Sequence, residues 1–114
     1  MMIYFPWSRI VALLLAALLT STAWAGEGIW IDVRTPAEYR AGHVAGAINI
    51  PLDEIGERID EVNREKDSPV YLYCRTGNRS AQAKAILENM GYTRVDNFGG
   101  LDEAQQKAAA MAAQ

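Results

Sequence analysis

The chain has 114 residues, of which 50% are hydrophobic, and a net charge of −3 from 11 Lys and Arg and 14 Asp and Glu side chains. This composition predicts one globular domain, and the lack of a basic run argues against nucleic acid as a partner. A single Cys and a single His exclude an intramolecular disulfide, a Cys-based zinc cluster and a multi-histidine metal site. Any chemistry must therefore use one thiol, one imidazole, carboxylates, hydroxyls, arginines and backbone amides.

The first 25 residues have the pattern of a secretory signal peptide. One basic side chain, Arg9, precedes an apolar run at residues 10–19, and the small-x-small sequence Ala23-Trp24-Ala25 follows. A membrane anchor is the alternative, but this run has ten apolar residues, whereas a spanning helix needs about 20. We predict cleavage after Ala25, which leaves one domain at residues 26–114 that is exported and has no stable membrane association.

The mature chain alternates predicted strands with predicted helices. Four short β-branched or aromatic runs predict strands, at residues 29–33, 47–50, 70–73 and 93–96. Helices are predicted at residues 35–42, 52–62, 80–90 and 101–113. The first of them opens on Thr35-Pro-Ala-Glu38, which has the pattern of a capping box. The alternation predicts a three-layer α/β domain with a parallel sheet covered on both faces.

Cys74 directly follows a predicted strand, at the sheet edge where ligands of parallel sheets bind. The six residues Cys74-Arg-Thr-Gly-Asn-Arg79 join this strand to the next predicted helix. Gly77 permits a tight turn that aims backbone N–H groups inward, and the helix N-terminus adds donors at the same point. With Arg75 and Arg79 flanking the loop, these groups favour a thiolate. The alternative is a buried, unreactive thiol, which the loop composition and the export of an unpaired Cys make less favourable.

Three motifs in chain order resemble those of the rhodanese family of sulfurtransferases. Tyr73-Cys74-Arg-Thr-Gly-Asn-Arg79-Ser80 resembles the active-site loop, and Gly91-Tyr92 through Gly99-Gly100 resembles the C-terminal signature. The N-terminal signature is similar to Asp32-Val-Arg34-Thr-Pro-Ala-Glu38-Tyr39 with the segment from Gly42-His43-Val44 to Pro51. The resemblance covers residues 29–101 and is nearest to the periplasmic phage-shock-protein E type of single-domain rhodanese. It implies a periplasmic location and a rhodanese-like three-layer domain with a mainly parallel sheet of four to five strands and helices on both faces.

The chain departs from many members of that family in two places. Only about three residues of the mature chain precede Ile29, which favours four strands over five. Leu101-Asp-Glu-Ala follows the Gly-Gly pair, where many members carry a Trp.

The length of the cysteine loop separates two kinds of chemistry. Four residues lie between Cys74 and Arg79, whereas tyrosine phosphatases need five, and the required position holds Ser80. A six-residue loop suits a single sulfur atom better than a tetrahedral oxyanion, so phosphoryl transfer is the weaker hypothesis. Arsenate reduction is weaker still, because it needs a second Cys.

The resemblance implies a persulfide mechanism. Cys74 would be the catalytic nucleophile that takes the outer sulfur of thiosulfate and passes it to cyanide, a thiol or a dithiol. No metal or organic cofactor is implied, and we expect a monomer. The predicted substrate-binding residues are those of the loop: Arg75, Thr76, Gly77, Asn78 and Arg79. The alternative is a persulfide carrier or partner-binding module of the same fold that does not turn over.

The sequence also predicts roles for several further side chains. Asp32 and Arg34, at the end of the first predicted strand, are expected to support the loop, and Arg79 to form a salt bridge with an acid such as Asp32. Arg75 is expected to bind thiosulfate at the mouth of the pocket. His43 is predicted to make a buried hydrogen bond instead of moving protons, and Phe98 is as often core as pocket.

Overall fold

The computed structural model describes residues 28–114, so the predicted signal peptide and its cleavage site after Ala25 lie outside the described residues. This part of the chain contains four strands, β1 (Ile29–Asp32), β2 (Ile48–Asn49), β3 (Val70–Tyr73) and β4 (Val95–Asn97). Its α-helices are α1 (Pro36–Ala41), α2 (Ile55–Val62), α3 (Asn78–Asn89) and α4 (Leu101–Ala112), and a 3₁₀ turn spans Leu52–Glu54. No helix within residues 28–114 has the length and apolar character needed to cross a membrane.

The strands form one parallel sheet in the order β2-β1-β3-β4. Ile31 of β1 pairs with Ile48 on one side and with Leu72 on the other. The predicted parallel sheet is confirmed, with four strands in the described residues. The last strand begins two residues later than predicted, because the backbone N–H of Thr93 donates to the carbonyl of Lys66 and is not part of the sheet.

Local signals in the sequence set the helix boundaries. Thr35 caps α1, and its reciprocal hydrogen bonds with Glu38 complete the predicted capping box. The segment predicted as one helix at residues 52–62 is instead a 3₁₀ turn followed by α2, and the turn begins just after Pro51. The helix α3 begins at Asn78, two residues before the predicted start, because the chain completes its reversal at Gly77.

Side chains alternate across the sheet and form two cores. Ile31 and Leu72 point toward the layer that contains α2 and α3, together with Ile59 and Leu87. The opposite core contains Tyr73 and Ala104 of α4, with Trp30 and Phe98 packed against it. Helices therefore cover both faces, which confirms the three-layer architecture and brings the end of β3 between the two cores.

Candidate active site

The cysteine loop is held at the carboxyl end of β3. The backbone N–H of Cys74 donates to the carbonyl of Gly99 at 3.0 Å, which fixes the loop against the segment after β4. Gly77 has φ +94°, a left-handed conformation that glycine adopts without a steric penalty. A Cβ atom on Gly77 would lie 3.3 Å from the Cα of Gly99, so the two segments approach closely at this point. This turn directs the next backbone groups toward the thiol and lets α3 begin.

The sulfur of Cys74 accepts hydrogen bonds from the loop that surrounds it. The backbone N–H of Gly77 donates to Sγ at 3.0 Å, and the hydroxyl of Ser80 lies 3.4 Å from the same atom. Burial of the thiol raises the pKa of Cys74, since the residue is wholly buried. Hydrogen bonds reverse this effect and bring the pKa below its ordinary value; they come from the Ser80 hydroxyl and the backbone N–H groups of Ser80, Thr76 and Gly77.

Asn97 connects the cysteine loop to the end of β4. Its amide oxygen accepts from the Ser80 hydroxyl at 2.7 Å and from the backbone N–H of Gly99 at 2.9 Å. Its amide nitrogen donates to the carbonyl of Gly77 at 2.9 Å. Neither Asn97 nor Ser80 is among the residues predicted above to bind substrate or to support the loop. No local sequence pattern reveals the contacts with Ser80 and Gly77, because they join residues 17 and 20 positions apart.

Arg79 forms the predicted salt bridge with an acid, but that acid is Glu38 and not Asp32. Two hydrogen bonds, of 2.7 and 3.0 Å, join the guanidinium of Arg79 to the two carboxylate oxygens of Glu38. The pKa of Glu38 is lowered to about 2 by these bonds and by the Thr35 N–H. The same carboxylate raises the pKa of Arg79 against the effect of burial, and the charge of Cys74 adds to the rise.

Asp32 is already occupied by Arg34, which explains why Arg79 binds elsewhere. The Nη2 and Nε atoms of Arg34 donate to the Asp32 carboxylate at distances from 2.7 to 3.1 Å, and its backbone N–H adds a bond of 2.9 Å. Both side chains are buried, and the Nη2 of Arg34 also donates to the carbonyl of Gly42. The pair therefore ties the end of β1 to the segment after α1. Support of the cysteine loop by Asp32 and Arg34 stays a prediction.

A cavity of about 420 Å³ lies beside the loop. Its walls combine both signs of charge, with Arg34, Glu38, Ala41, Arg75 and the four residues Gly100, Leu101, Asp102 and Glu103. Of the predicted substrate-binding residues, Arg75 lines this cavity. Thr76 and Asn78 are exposed on the loop, and Gly77 meets the sulfur through its backbone N–H. The structure thus brings Arg34 and Arg75 to one cavity and keeps Arg79 bound to Glu38.

Two remaining predictions concern His43 and Phe98. His43 stacks on Tyr39 with ring centroids 3.7 Å apart, and its Nδ1–H donates to the Tyr39 carbonyl at 2.8 Å. The predicted hydrogen-bonding role of His43 is confirmed, although the side chain is only half-buried. Phe98 packs on Trp30 and Tyr71 at centroid distances of 5.2 and 5.5 Å, and it belongs to the core and not to the cavity wall.

Known proteins are similar to this chain in sequence. The chain is 50% identical over 91 residues to thiosulfate sulfurtransferase PspE of Escherichia coli (strain K12), a match that covers 80% of this chain and 86% of that relative. It is 43% identical over 70 residues to a sulfurtransferase of Allochromatium vinosum, which covers 61% of this chain and 64% of that protein.

Solved structures give the same relationship. A structure described as "rhodanese with anions from E. coli" superposes with a TM-score of 0.66 at 52% sequence identity, covering 68% of this chain and 91% of that chain. Residues 14–107 match the family model described as "Rhodanese-like domain". Together with the parallel sheet and the position of Cys74 at the carboxyl end of β3, these matches show that the chain belongs to the rhodanese-like domain family.

Proposed function

We propose that this protein is a thiosulfate sulfurtransferase that carries the transferred sulfur as a persulfide on Cys74. The observation that carries the proposal is the sulfur of Cys74 held by the Gly77 N–H at 3.0 Å, with the Ser80 hydroxyl at 3.4 Å. Membership of the rhodanese-like family supports it, as does the 50% identity to a relative named thiosulfate sulfurtransferase.

The first half of the reaction moves one sulfur atom to the enzyme. The Cys74 thiolate attacks the outer sulfur of thiosulfate, a new S–S bond forms to Sγ, and the bond between the two sulfurs of thiosulfate breaks. The electron pair of that bond leaves with sulfite. The lowered pKa of Cys74 increases the fraction of thiolate that is available for this attack.

The second half returns the enzyme to its starting state. Cyanide or a thiolate attacks the outer sulfur of the persulfide and forms a bond to it, and Cys74 leaves as the thiolate. With cyanide the product is thiocyanate, and no external oxidant or reductant is consumed. Inward-facing N–H groups stabilise the negative charge on sulfur in each state, as an oxyanion hole stabilises an oxygen.

The arginines of the cavity supply the attraction for an anionic donor. Arg75 is exposed at the cavity wall, and Arg34 lies beside it with its Nε and Nη2 atoms on Asp32. A guanidinium presents donors in a planar fork that matches the oxygens of a sulfonate group. Thiosulfate would therefore bind with its oxygens toward Arg75 and its outer sulfur toward Cys74.

A steady-state assay with thiosulfate and cyanide tests the proposal. We expect thiocyanate to accumulate linearly with time, with double-reciprocal plots that are parallel, as for a two-step covalent exchange. The variants Cys74→Ser and Cys74→Ala should both be inactive, whereas the remote exposed variant Glu57→Gln should retain full activity. Product that stops at one equivalent per chain would contradict turnover and favour a persulfide carrier.

We also propose that residues 1–25 direct export and that the mature protein works in the periplasm as a monomer. The sequence of residues 10–25 supports the export that this proposal includes. Expression of the full chain in a Gram-negative host should yield a periplasmic protein whose intact mass corresponds to a chain that begins at Gly26. Its mass from light scattering should be that of a single chain. Recovery of the uncut chain in the cytoplasm would contradict export.

A further inference from the structure

Asn97 is the last residue of the edge strand β4. Its side chain forms three hydrogen bonds, which reach the cysteine loop, the first turn of α3 and the segment after β4. The amide nitrogen binds the carbonyl of Gly77 at 2.9 Å. The amide oxygen binds the hydroxyl of Ser80 at 2.7 Å and the N–H of Gly99 at 2.9 Å. Two donors on the oxygen and a carbonyl at the nitrogen fix the orientation of the amide.

Each of these three partners has a second contact with Cys74. The N–H of Gly77 and the hydroxyl of Ser80 reach Sγ at 3.0 and 3.4 Å. The carbonyl of Gly99 accepts from the backbone N–H of Cys74 at 3.0 Å. Asn97 therefore contacts three residues that hold Cys74, namely Gly77, Ser80 and Gly99, and makes no hydrogen bond to the sulfur itself.

We propose that Asn97 is a positioning residue for the sulfur-transfer reaction, which holds Gly77 and Ser80 where both donate to the sulfur of Cys74. This inference rests on the proposed function and extends it to a residue outside the loop. Gly77 is fixed on both sides, by its N–H on the sulfur and by its carbonyl on Asn97. Because a glycine has the widest backbone freedom, this second anchor limits how far its N–H can swing away.

The Ser80 hydroxyl has a single proton and two acceptors. In the neutral thiol state the shorter contact, to Asn97, is the better one. When Cys74 ionises, the charged sulfur becomes the stronger acceptor and competes for that proton. Asn97 thus provides a hydrogen-bond acceptor for the Ser80 hydroxyl while Cys74 is neutral, and it keeps this hydroxyl close to the sulfur.

Alkylation of Cys74 tests this role, because the chain has one cysteine and the reaction reports on that sulfur alone. The rate of modification by iodoacetamide is measured against pH for Asn97→Ala, Ser80→Ala and the double variant. Loss of Asn97 removes the anchor of the nearer donor, Gly77, so we expect the midpoint to rise by about 0.5 to 1 pH unit and the neutral-pH rate to fall about three- to tenfold. In the Ser80→Ala background Asn97→Ala can act only through the glycines, and we expect a further rise.

The transfer reaction should follow the same pH shift. The kcat/KM for thiosulfate in Asn97→Ala should fall near neutral pH and approach that of the wild type at high pH, where the thiol is ionised in both. A residue that only stabilised the fold would lower activity without shifting the midpoint. The matched control is Asn63→Ala, which removes another asparagine that accepts from a backbone N–H in a turn, that of Glu65. It should leave both profiles unchanged.

A second variant keeps the test decisive if Asn97→Ala does not fold. Asn97→Leu keeps the approximate size of the side chain and removes its hydrogen bonds to Gly77, Ser80 and Gly99 without adding a charge. Its midpoint should still rise. An unshifted midpoint in the folded Asn97 variants, or an equal shift in Asn63→Ala, would overturn the inference. If the wild-type protein does not turn over but the variants still show these shifts, the proposed function is contradicted, whereas the positioning of Gly77 and Ser80 by Asn97 remains supported.

Discussion

The guanidinium of Arg79 binds the carboxylate of Glu38 through two parallel hydrogen bonds, of 2.7 and 3.0 Å. This pair joins the first turn of α3, at the end of the cysteine loop, to the first turn of α1. Glu38 also closes the capping box on Thr35, so one carboxylate both starts a helix and holds the loop. The loop is consequently anchored at Gly99 on one side and at α1 on the other.

The Glu38 carboxylate should make the stability of the protein depend on pH in the acid range. Its pKa is lowered from 4.5 to about 2, so its contribution is complete above the unfolded-state value and is lost as the pH falls toward 2. We expect Glu38→Gln to cost about 1 kcal/mol in the free energy of unfolding at pH 7, since the pair is partly exposed. Urea unfolding of both proteins at pH 7 and near pH 2 would measure the difference.

The control for this measurement is Glu57→Gln, which alters an exposed glutamate of α2. The gap between wild type and Glu38→Gln should narrow as the pH falls, whereas Glu57→Gln should track the wild type throughout. A constant gap at both pH values would show that Glu38 does not act through its charge.

The buried pair of Asp32 and Arg34 should be far more sensitive to substitution. Asp32→Asn leaves the Arg34 guanidinium buried without its countercharge, and we expect a loss of about 3–5 kcal/mol in the free energy of unfolding. The double variant Asp32→Asn/Arg34→Gln removes the unpaired charge and should recover part of that loss. Urea unfolding measures both, and a cost below about 1 kcal/mol for Asp32→Asn would contradict a structural role for the pair.

The left-handed turn at Gly77 should be needed for both stability and activity. Alanine at φ +94° costs about 1–2 kcal/mol in backbone strain, and its Cβ would press on Gly99. Gly91 has a similar φ of +99° with open space around a Cβ, and it lies after the far end of α3. We expect both variants to lower thermal stability, Gly77→Ala by more because of the contact with Gly99, and only Gly77→Ala to slow sulfur transfer. Equal rates in the two variants would argue against the turn as a determinant of the sulfur site.

The acidic side chains of the cavity should oppose the binding of a dianionic donor. Asp102 and Glu103 line the same cavity as Arg75. Removing either charge, by Asp102→Asn or Glu103→Gln, should lower the KM for thiosulfate about two- to fivefold, and Arg75→Gln should raise it by a similar factor. Both effects should shrink in high salt. The control is Glu88→Gln near the other end of α3, and changes of the same sign in Arg75→Gln and the acidic variants would contradict a charge effect.

Much of the fold follows from signals that act over short stretches of the chain. The capping box of Thr35 and Glu38 involves residues three apart, and the β-branched runs mark strands that alternate with helices. These patterns place Cys74 at the carboxyl end of a predicted strand. The parallel direction of the strands then follows, because the helical connections between strands of one sheet are geometrically restricted.

The parts that sequence reasoning missed depend on which distant side chains meet. Glu38 and Arg79 lie 41 positions apart, and the choice of Glu38 over Asp32 reflects the saturation of Asp32 by its near neighbour Arg34. The contacts of Asn97 likewise need the packing of the segment after β4 against the loop. Neither relationship has a signature in local spacing.

Sulfur transfer by this protein requires that Cys74 accept a single sulfur atom from thiosulfate, and the intact mass of the protein tests this step directly. After incubation with thiosulfate and removal of small molecules, we expect a gain of about 32 Da, equal to one covalently bound sulfur, which cyanide then removes. Cys74→Ser should show no gain under the same conditions. An unchanged wild-type mass, or an equal gain in Cys74→Ser, would contradict the persulfide at this residue.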